Sequence, residues 1–232
     1  MFFCKYSITF AIMEIILSNE FKQAVPGYKM IKIEAEVVNS ETPDELWREV
    51  ENFTGSLCDL LEIADINKRP GIAATRAGYK ACGKDPNRYR PSTEQLCRRV
   101  LKGNGLWRVS SIVDTFNLLS LKSGHSIGAF DMDAIKGDTL TLGVGREGEP
   151  YEGIGRGVIN IAGMPVWRDA VGGVGTPTSD NERTKVSLET RRLLVTINIY
   201  GDEMPVDDII SEAGRLLDTY CKAQNVKIDV IS

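Results

Sequence analysis

The single histidine, His125, is the first residue whose type suggests chemistry. One histidine excludes metal sites that need several imidazoles and confines any Ser-His-Asp arrangement to this position. His125 lies in the segment Ser-Gly-His-Ser-Ile, in a loop predicted between a helix and a strand. A solvated loop histidine is the simpler interpretation, so the residue type alone does not establish catalysis.

Two carboxylates follow His125 closely. Asp131 and Asp133 are two residues apart, which places both side chains on one face if the segment is a strand. Paired carboxylates can divide acid and base work between them. Acids that end a strand before a turn such as Lys136-Gly-Asp138 are also common as polar turn residues, and both interpretations stay open.

Two glycine-rich segments invite comparison with nucleotide-binding loops. Residues 153–157 read Gly-Ile-Gly-Arg-Gly, but the following Val-Ile-Asn-Ile predicts a strand, whereas a dinucleotide-binding loop opens a helix. Residues 175–185 lack the Gly-Lys-Ser/Thr of a phosphate-binding loop. Both segments are predicted to be turns, and no cofactor is expected.

Composition favours an ordinary globular protein in a reducing compartment. The 232 residues are 42% hydrophobic and 26% charged, enough for a full core. The five cysteines are scattered, with no Cys-x-x-Cys pair, so neither a disulfide framework nor a zinc ribbon is supported. We therefore predict a cytoplasmic protein with no metal site.

The charge is unevenly distributed along the chain. The net charge is −4, which argues against indiscriminate nucleic-acid coating. Residues 76–108, however, hold nine basic and two acidic residues, a local charge of +7, so the remainder carries −4 − 7 = −11. This segment predicts either a phosphate-binding face or a solvated helical surface with internal ion pairs.

Hydrophobic periodicity predicts helices early in the chain and strands late. Alternation over 29–38 predicts a strand, and Thr42 with Pro43 and Glu45 predicts a capping box at the start of the next helix. Further helices are predicted, over about 93–102, 112–122 and 206–224. Short apolar runs separated by glycines predict strands, over 127–130, 139–145, 158–162, 193–200 and 226–231. Without regular strand–helix alternation, the fold class is α+β.

The first residues are set apart from the functional interpretation. The apolar stretch over 6–17 is too short to cross a bilayer and lacks a small-residue cleavage site. Met13 reads as an alternative start, so residues 1–12 are treated as an extension and 13–232 as one domain, with no membrane contact expected.

A family resemblance enters with residues 113–131. This segment resembles, without gaps, part of the tRNA-editing domain of the phenylalanyl-tRNA synthetase β subunit. The matching positions are Asp114, Asn117, Gly124, Ala129, Phe130 and Asp131. Weaker similarity continues through 98–101, 109–113, 159–164 and 184–195, so the resemblance covers about residues 76–200.

The resemblance implies a β-sandwich of unusual topology with helices packed outside. It also implies a pocket that seats a wrongly attached amino acid and orients a water toward its ester, with backbone amides near the oxyanion. Neither a metal nor another cofactor is required. tRNA or aminoacyl-tRNA is the implied partner, with no obligate protein partner.

Carried onto this sequence, the resemblance predicts three sets of site residues. His125 and Asn117 are the catalytic candidates. The predicted substrate pocket comprises Gly124, Gly128, Phe130, Asp131, Ala162, Gly163, Met164, Thr176, Ser179 and Thr184. The predicted tRNA-phosphate contacts are Arg88, Arg90, Arg98, Arg99 and Lys102.

The sequence also departs from the family pattern. The histidine of the family falls on Gly128, and His125 stands three residues earlier, where the family has glutamine. The glutamate that many synthetases carry after Gly-Gly has no secure counterpart, since Val174 follows Gly173. Tyrosine specificity is therefore the least transferable property.

Three functions remain open from sequence. The first is a stand-alone deacylase that hydrolyses mischarged aminoacyl-tRNA in trans, and is not a complete synthetase. The second is a non-catalytic RNA-binding module that kept the fold, and the third is a protein that binds a free amino acid or related metabolite.

Overall fold

The computed structural model describes residues 13–232, so the predicted extension over residues 1–12 lies outside the described part of the chain. The helices are α1 Asn19–Ala24, α2 Asp44–Leu60, α3 Pro70–Ala81, α4 Ser92–Leu101, α5 Ser111–Ser123 and α6 Val206–Cys221. The strands are β1 Glu14–Leu17, β2 Lys29–Glu36, β3 Ser126–Asp131, β4 Thr139–Val144, β5 Glu152–Gly153, β6 Gly157–Val158, β7 Pro165–Arg168, β8 Gly173–Gly175, β9 Arg192–Ile199 and β10 Gln224–Ile231.

Two four-stranded sheets form the frame of the molecule. One sheet is antiparallel throughout, in the order β10-β2-β9-β3. The other has the order β1-β4-β7-β8, and within it β1 pairs in parallel with β4. Strands β5 and β6 form a separate hairpin. The predicted α+β class is confirmed.

Alternation along β9 sends side chains into two different cores. Leu194 packs between the two sheets, together with Phe130 and Trp167. Val195 packs instead against the helices that cover the outer face of the antiparallel sheet. Because each buried aliphatic side chain contributes roughly 1.5–3 kcal/mol, both faces of this sheet stabilise the fold. The architecture is a two-sheet sandwich with helices outside one sheet.

Helix α5 follows the sequence prediction over 112–122 and extends one residue further at each end. Ser110 is the N-cap, and its Oγ accepts from the amide of Val113 at 3.4 Å. The helix ends at Gly124, whose φ of 77° is the left-handed conformation that glycine adopts without steric cost. This helix carries Asn117 toward the site described below.

The predicted capping box of α2 is wrong. The helix begins at Asp44, with Pro43 in the cap position and no side-chain cap. Thr42 is not free to cap, because its hydroxyl donates to Oδ2 of the buried Asp114 at 2.5 Å. A tertiary hydrogen bond has replaced the local one.

Two further differences concern the middle of the chain. Helix α3 was not predicted from sequence, and its buried Ile72 and Tyr79 join separate core clusters. The strand predicted over 158–162 ends at Val158, and a turn follows in which the Met164 amide donates to the Ile161 carbonyl at 2.9 Å. Gly163, with a φ of 72°, makes this turn possible.

Candidate functional site

A cavity of about 430 Å³ opens beside the edge strand β3. Helices α4 and α5, strand β3 and the segment 176–186 supply most of its walls. Most of the exposed wall is apolar, and the apolar side chains are Leu96, Val109, Val113, Phe116, Ile127, Ala129, Ile154 and Val186. The polar residues of the lining contribute less of this exposed wall, and they are Ser92, Asn117, Ser120, Thr176, Ser179, Asp180 and Lys185. Such a combination is typical of a small-ligand site.

The loop that closes one side of the cavity is held in place by its own hydrogen bonds. The hydroxyl of Thr176 accepts from the amides of Thr178 and Ser179 and donates to the Ser179 carbonyl. The Ser92 amide, at the first residue of α4, donates to the Pro177 carbonyl at 2.7 Å. Because its hydroxyl is engaged in this way, Thr176 has a structural role in the loop.

Asp180 is the carboxylate in the cavity wall. Its Oδ2 accepts from the amide of Ala129, on β3, at 3.2 Å. Burial raises the pKa of Asp180 from 3.8 to about 7, and the Ala129 amide only partly opposes this effect. Asp180 can therefore take up or release a proton near neutral pH, as a general acid–base group must.

A second depression, of about 440 Å³, adjoins the cavity. The two share Ser92, Leu96, Asn117 and Ser179 in their linings. Basic side chains line this groove: Arg90, Arg98, Arg99, Lys102 and Arg156. The molecule therefore places an apolar cavity directly beside a cationic groove.

A buried carboxylate neutralises part of this positive charge. Glu94 is 0% exposed, and its Oε1 lies 2.7 Å from Arg98 Nε and 3.4 Å from Arg90 Nε. Its Oε2 accepts from Arg76 at 2.7 Å. Arg99 differs, because it lies over the indole of Trp107, 3.4 Å from the ring centroid. The groove thus contains both neutralised and available cations.

The family model described as the B3/4 domain matches residues 74–204, more than half of the chain. The chain belongs to the B3/4 domain family. The matched region includes the cavity and the groove, because their lining residues fall between positions 90 and 186. The resemblance to the phenylalanyl-tRNA synthetase β subunit is therefore confirmed at the level of this domain.

Individual relatives agree with the family assignment. The chain is 29% identical over 128 residues to the phenylalanine–tRNA ligase β subunit of Bartonella henselae, covering 54% of this chain and 15% of the relative. It is 38% identical over 52 residues to the same subunit of Protochlamydia amoebophila, covering 22% and 6%. This B3/4 domain protein thus spans only a small part of the length of these curated relatives.

A solved structure is also similar to the chain. It is an N-terminal fragment of the phenylalanyl-tRNA synthetase β subunit from Pyrococcus horikoshii, with 11% identity and a TM-score of 0.47. The match covers 92% of this chain and 50% of the fragment.

Three of the predicted catalytic and pocket residues line the cavity of this B3/4 domain. They are Asn117, Thr176 and Ser179. Asn117 and Ser179 stand where the cavity meets the groove, since both depressions include them.

His125 lies elsewhere, fully buried directly after Gly124, the C-cap of α5. Both of its ring nitrogens lack a hydrogen-bond partner within residues 13–232. The pKa of His125 is lowered from 6.5 to about 4, mainly by burial and also by the Arg69 charge, while the Asp202 charge opposes the shift. The imidazole is thus neutral at pH 7 and outside the cavity wall, so the expectation of a solvated loop histidine is wrong.

Strand alternation separates further predicted residues from the cavity. Ile127 and Ala129 line it, whereas Phe130 points the other way, into the core between the sheets. Gly128 faces the same side as Phe130: a Cβ there would lie 2.6 Å from Phe130 Cζ. A side chain at the family histidine position would therefore require Phe130 to move.

The remaining predicted pocket residues serve other contacts. Gly124 ends α5 against Glu203, and Asp131 accepts from the Thr190 hydroxyl at 2.8 Å. Thr184 donates to the Val174 carbonyl at 3.1 Å. The other three form the turn after β6, where the Ala162 carbonyl accepts from Lys84, Gly163 lies against the Gly83 backbone and Met164 is buried.

Four of the five predicted phosphate contacts lie together in the groove. Arg90, Arg98, Arg99 and Lys102 line the groove, and Arg88 instead lies 5.6 Å from the centroid of the Tyr89 ring. Arg156 was not predicted from sequence, although it borders the groove and contacts Gln95. Asp180 and Trp107 were not predicted either, although Asp180 directly follows the predicted pocket residue Ser179.

Metal-ligand clusters and membrane-spanning helices are both absent from residues 13–232. Across residues 13–232, no group of three or more His, Cys, Asp or Glu side chains could hold a metal ion. The helices of the same region are also too short or too polar to cross a membrane.

Proposed function

We propose that this B3/4 domain protein hydrolyses, in trans, the ester that joins an amino acid to the 3′ end of tRNA. The observation that carries the proposal is the apolar cavity containing Asp180, which adjoins a cationic groove. An aminoacyl-tRNA has the matching polarity, because its amino acid can enter the cavity while its phosphates lie along the groove. The apolar walls favour a hydrophobic side chain.

In the proposed reaction, Asp180 acts as the general base. A water oxygen attacks the ester carbonyl carbon while the Asp180 carboxylate takes a proton from that water. The Asn117 amide donates to the carbonyl oxygen as negative charge develops there. Collapse of the tetrahedral intermediate breaks the bond to the ribose oxygen, which receives the proton from Asp180. The products are the free amino acid and the ribose hydroxyl.

The pKa of about 7 supports this role, because both protonation states of Asp180 are then populated near neutral pH. The free thiols of the buried Cys97 and Cys221 fit a reducing, cytoplasmic setting for the reaction.

A panel of deliberately mischarged tRNAs tests the proposal. We expect release of amino acids with hydrophobic side chains, and a decrease of about 10²- to 10⁴-fold in the release rate for Asp180→Asn. Asn117→Ala should also slow release, by removing the proposed oxyanion donor. Val171→Ala, in the exposed turn between β7 and β8, is the matched control and should release at the wild-type rate. No release from any member of the panel would refute the proposal.

A non-catalytic RNA-binding module is the second candidate. The absence of an imidazole from the cavity lining favours this candidate. Gly128 occupies the family histidine position, and His125 is buried outside the cavity. Binding of tRNA without release would support this candidate. Binding of free amino acids without affinity for tRNA would instead support a metabolite-binding protein.

A further inference from the structure

Trp107 is an exposed aromatic side chain on the wall of the cationic groove. It lies in the connection between α4 and α5, and 62% of its surface is exposed. Its neighbour Val109 is also exposed and lines the adjoining cavity. Large exposed apolar groups that are rimmed by polar residues commonly mark binding surfaces.

Arg99 packs against Trp107 and has no carboxylate partner among the described residues. The guanidinium carbon is 3.4 Å from the centroid of the indole ring. Its Nε is buried and has no hydrogen-bond partner, and an Nη donates to the Asn104 carbonyl at 3.4 Å. No carboxylate within residues 13–232 forms an ion pair with Arg99, unlike Arg98, which is bound to Glu94. A planar cation and an aromatic ring are thus stacked at the groove wall.

We propose that Trp107 and Arg99 form a stacking platform for an unpaired nucleotide of single-stranded RNA. The base stacks on the exposed indole surface, and the flanking phosphates lie against Arg99, Lys102 and Arg156. A base inside a double helix cannot offer its face in this way, so the ligand must be single-stranded at this point. The assignment of this RNA to a tRNA 3′ end rests on the proposed function, whereas the stacking itself does not.

The platform and the cavity are connected by shared residues. Asn117, Leu96 and Ser179 belong to both depressions, so a strand that leaves Trp107 along the groove reaches the mouth of the cavity. The amino acid would then occupy the cavity, the terminal ribose the shared rim, and a preceding base the platform. Stacking would fix the register of the strand relative to Asp180.

An unstructured octameric RNA with a fluorescent 5′ end is the probe for the platform. We expect Trp107→Ala to weaken its binding by roughly 5- to 150-fold, the range for loss of one base–aromatic stack. Trp107→Phe should retain most of the affinity, and Val171→Ala, an exposed apolar position in the turn between β7 and β8, should bind as wild type. Because no phosphate contact is lost, the salt dependence of Trp107→Ala should equal that of the wild type.

Octamers with a single abasic position provide the second measurement. One abasic position should weaken wild-type binding to the level of Trp107→Ala and should have no further effect in that variant. Failure of the wild type to bind the octamer, or equal binding by Trp107→Ala and Val171→Ala, would overturn the platform.

The two proposals fail separately. Loss of octamer binding in Trp107→Ala without release from mischarged tRNA would leave the platform and remove the hydrolase. Release that is indifferent to Trp107→Ala, together with unchanged octamer binding, would leave the hydrolase and remove the platform.

Discussion

Arg98 Nε and Glu94 Oε1 lie 2.7 Å apart, one turn apart on α4. Glu94 is fully buried and also forms an ion pair with Arg76, so this one carboxylate holds both arginines in position at the groove. Replacing Arg98 by an acid would set two negative charges beside each other below the surface. Loss of RNA binding in such a variant would report misfolding as much as a lost phosphate contact.

Glu94→Gln should lower the free energy of unfolding by about 3–5 kcal/mol. The substitution leaves the charges of Arg76 and Arg98 without their buried counter-charge, which is the costly way to break such a pair. Urea denaturation measures the change. Glu45→Gln, which breaks an exposed pair with Arg48, is the control and should change stability by less than about 1 kcal/mol. Similar losses in the two variants would contradict the central role of Glu94.

Lys102→Glu should weaken tRNA binding and flatten its dependence on salt. Lys102 is exposed on the groove wall, so its charge can be reversed without disturbing a buried pair. Loss of one phosphate contact lowers the slope of log K against log salt by about 0.7–0.9. Titrations at several salt concentrations measure this slope, and Arg156→Glu should act similarly.

Lys227→Glu is the matched control for the charge reversal. Lys227 is exposed on β10, and β10 and β3 form opposite edges of the same sheet. The same change in net charge far from the groove should leave the salt slope unchanged. Equal effects of Lys102→Glu and Lys227→Glu would show that net charge, and not the groove, governs binding.

The stability of Asp180→Asn, relative to that of the wild type, should increase as the pH rises. The folded-state pKa of Asp180 is raised from 3.8 to about 7, so the folded protein holds this proton more tightly than the unfolded chain. The contribution of the Asp180 carboxyl to the free energy of unfolding is fully present below about pH 4 and is lost as the pH rises through 7. Asparagine cannot ionise and can still accept from the Ala129 amide.

Urea denaturation at pH 5 and pH 8 measures this effect. The stability of Asp180→Asn relative to wild type should increase between the two pH values, by about 1.4 kcal/mol for each pKa unit of difference realised. A relative stability that does not change with pH would show that Asp180 titrates normally and would weaken its assignment as the base.

His125→Leu should protect the protein against acid and leave ester release unchanged. The folded-state pKa of His125 is lowered from 6.5 to about 4, so the unfolded chain binds this proton more readily. Stability is therefore lost as the pH falls from about 6.5 to 4, and leucine removes this loss. Thermal unfolding at pH 7 and pH 4.5 measures the effect. A large decrease in release at pH 7 without unfolding would restore His125 to the mechanism.

The sequence was most informative where local patterns and tertiary packing agree. The alternation in β2 and the Gly124 terminus of α5 follow from periodicity and backbone conformation, and both were predicted within a residue or two. Thr42 was misassigned because Asp114, distant in sequence, takes its hydroxyl. Helix α3 was missed because its buried face contains small residues such as Gly71 and Gly78, which give little hydrophobic periodicity.

The site was only partly predictable for a related reason. The groove cations Arg90, Arg98, Arg99 and Lys102 fall within one basic segment, so charge counting found them, whereas Arg156 lies outside that segment and was missed. The buried Glu94 that neutralises Arg98 was counted only as one acid in the segment. The orientation of β3 decides that Ala129 faces the cavity while Gly128 and Phe130 face the other core, and a family motif alone does not give that orientation. The perturbed pKa of Asp180 depends on burial, which sequence does not report.

Ala129→Leu should block ester release while preserving binding of tRNA. The Ala129 side chain lines the cavity, and its amide holds Asp180, so added carbons enter the space assigned to the amino acid. We expect the release rate to fall at least tenfold and tRNA affinity to change less than threefold, because the groove cations are unaltered. Overpacking should also cost about 1–3 kcal/mol of stability, which urea denaturation measures.

Ala170→Leu, in the exposed turn between β7 and β8, adds the same carbons outside the cavity and should release the amino acid at the wild-type rate. Normal release by Ala129→Leu would place the reacting ester elsewhere, whereas parallel loss of release and tRNA binding would indicate a single continuous site.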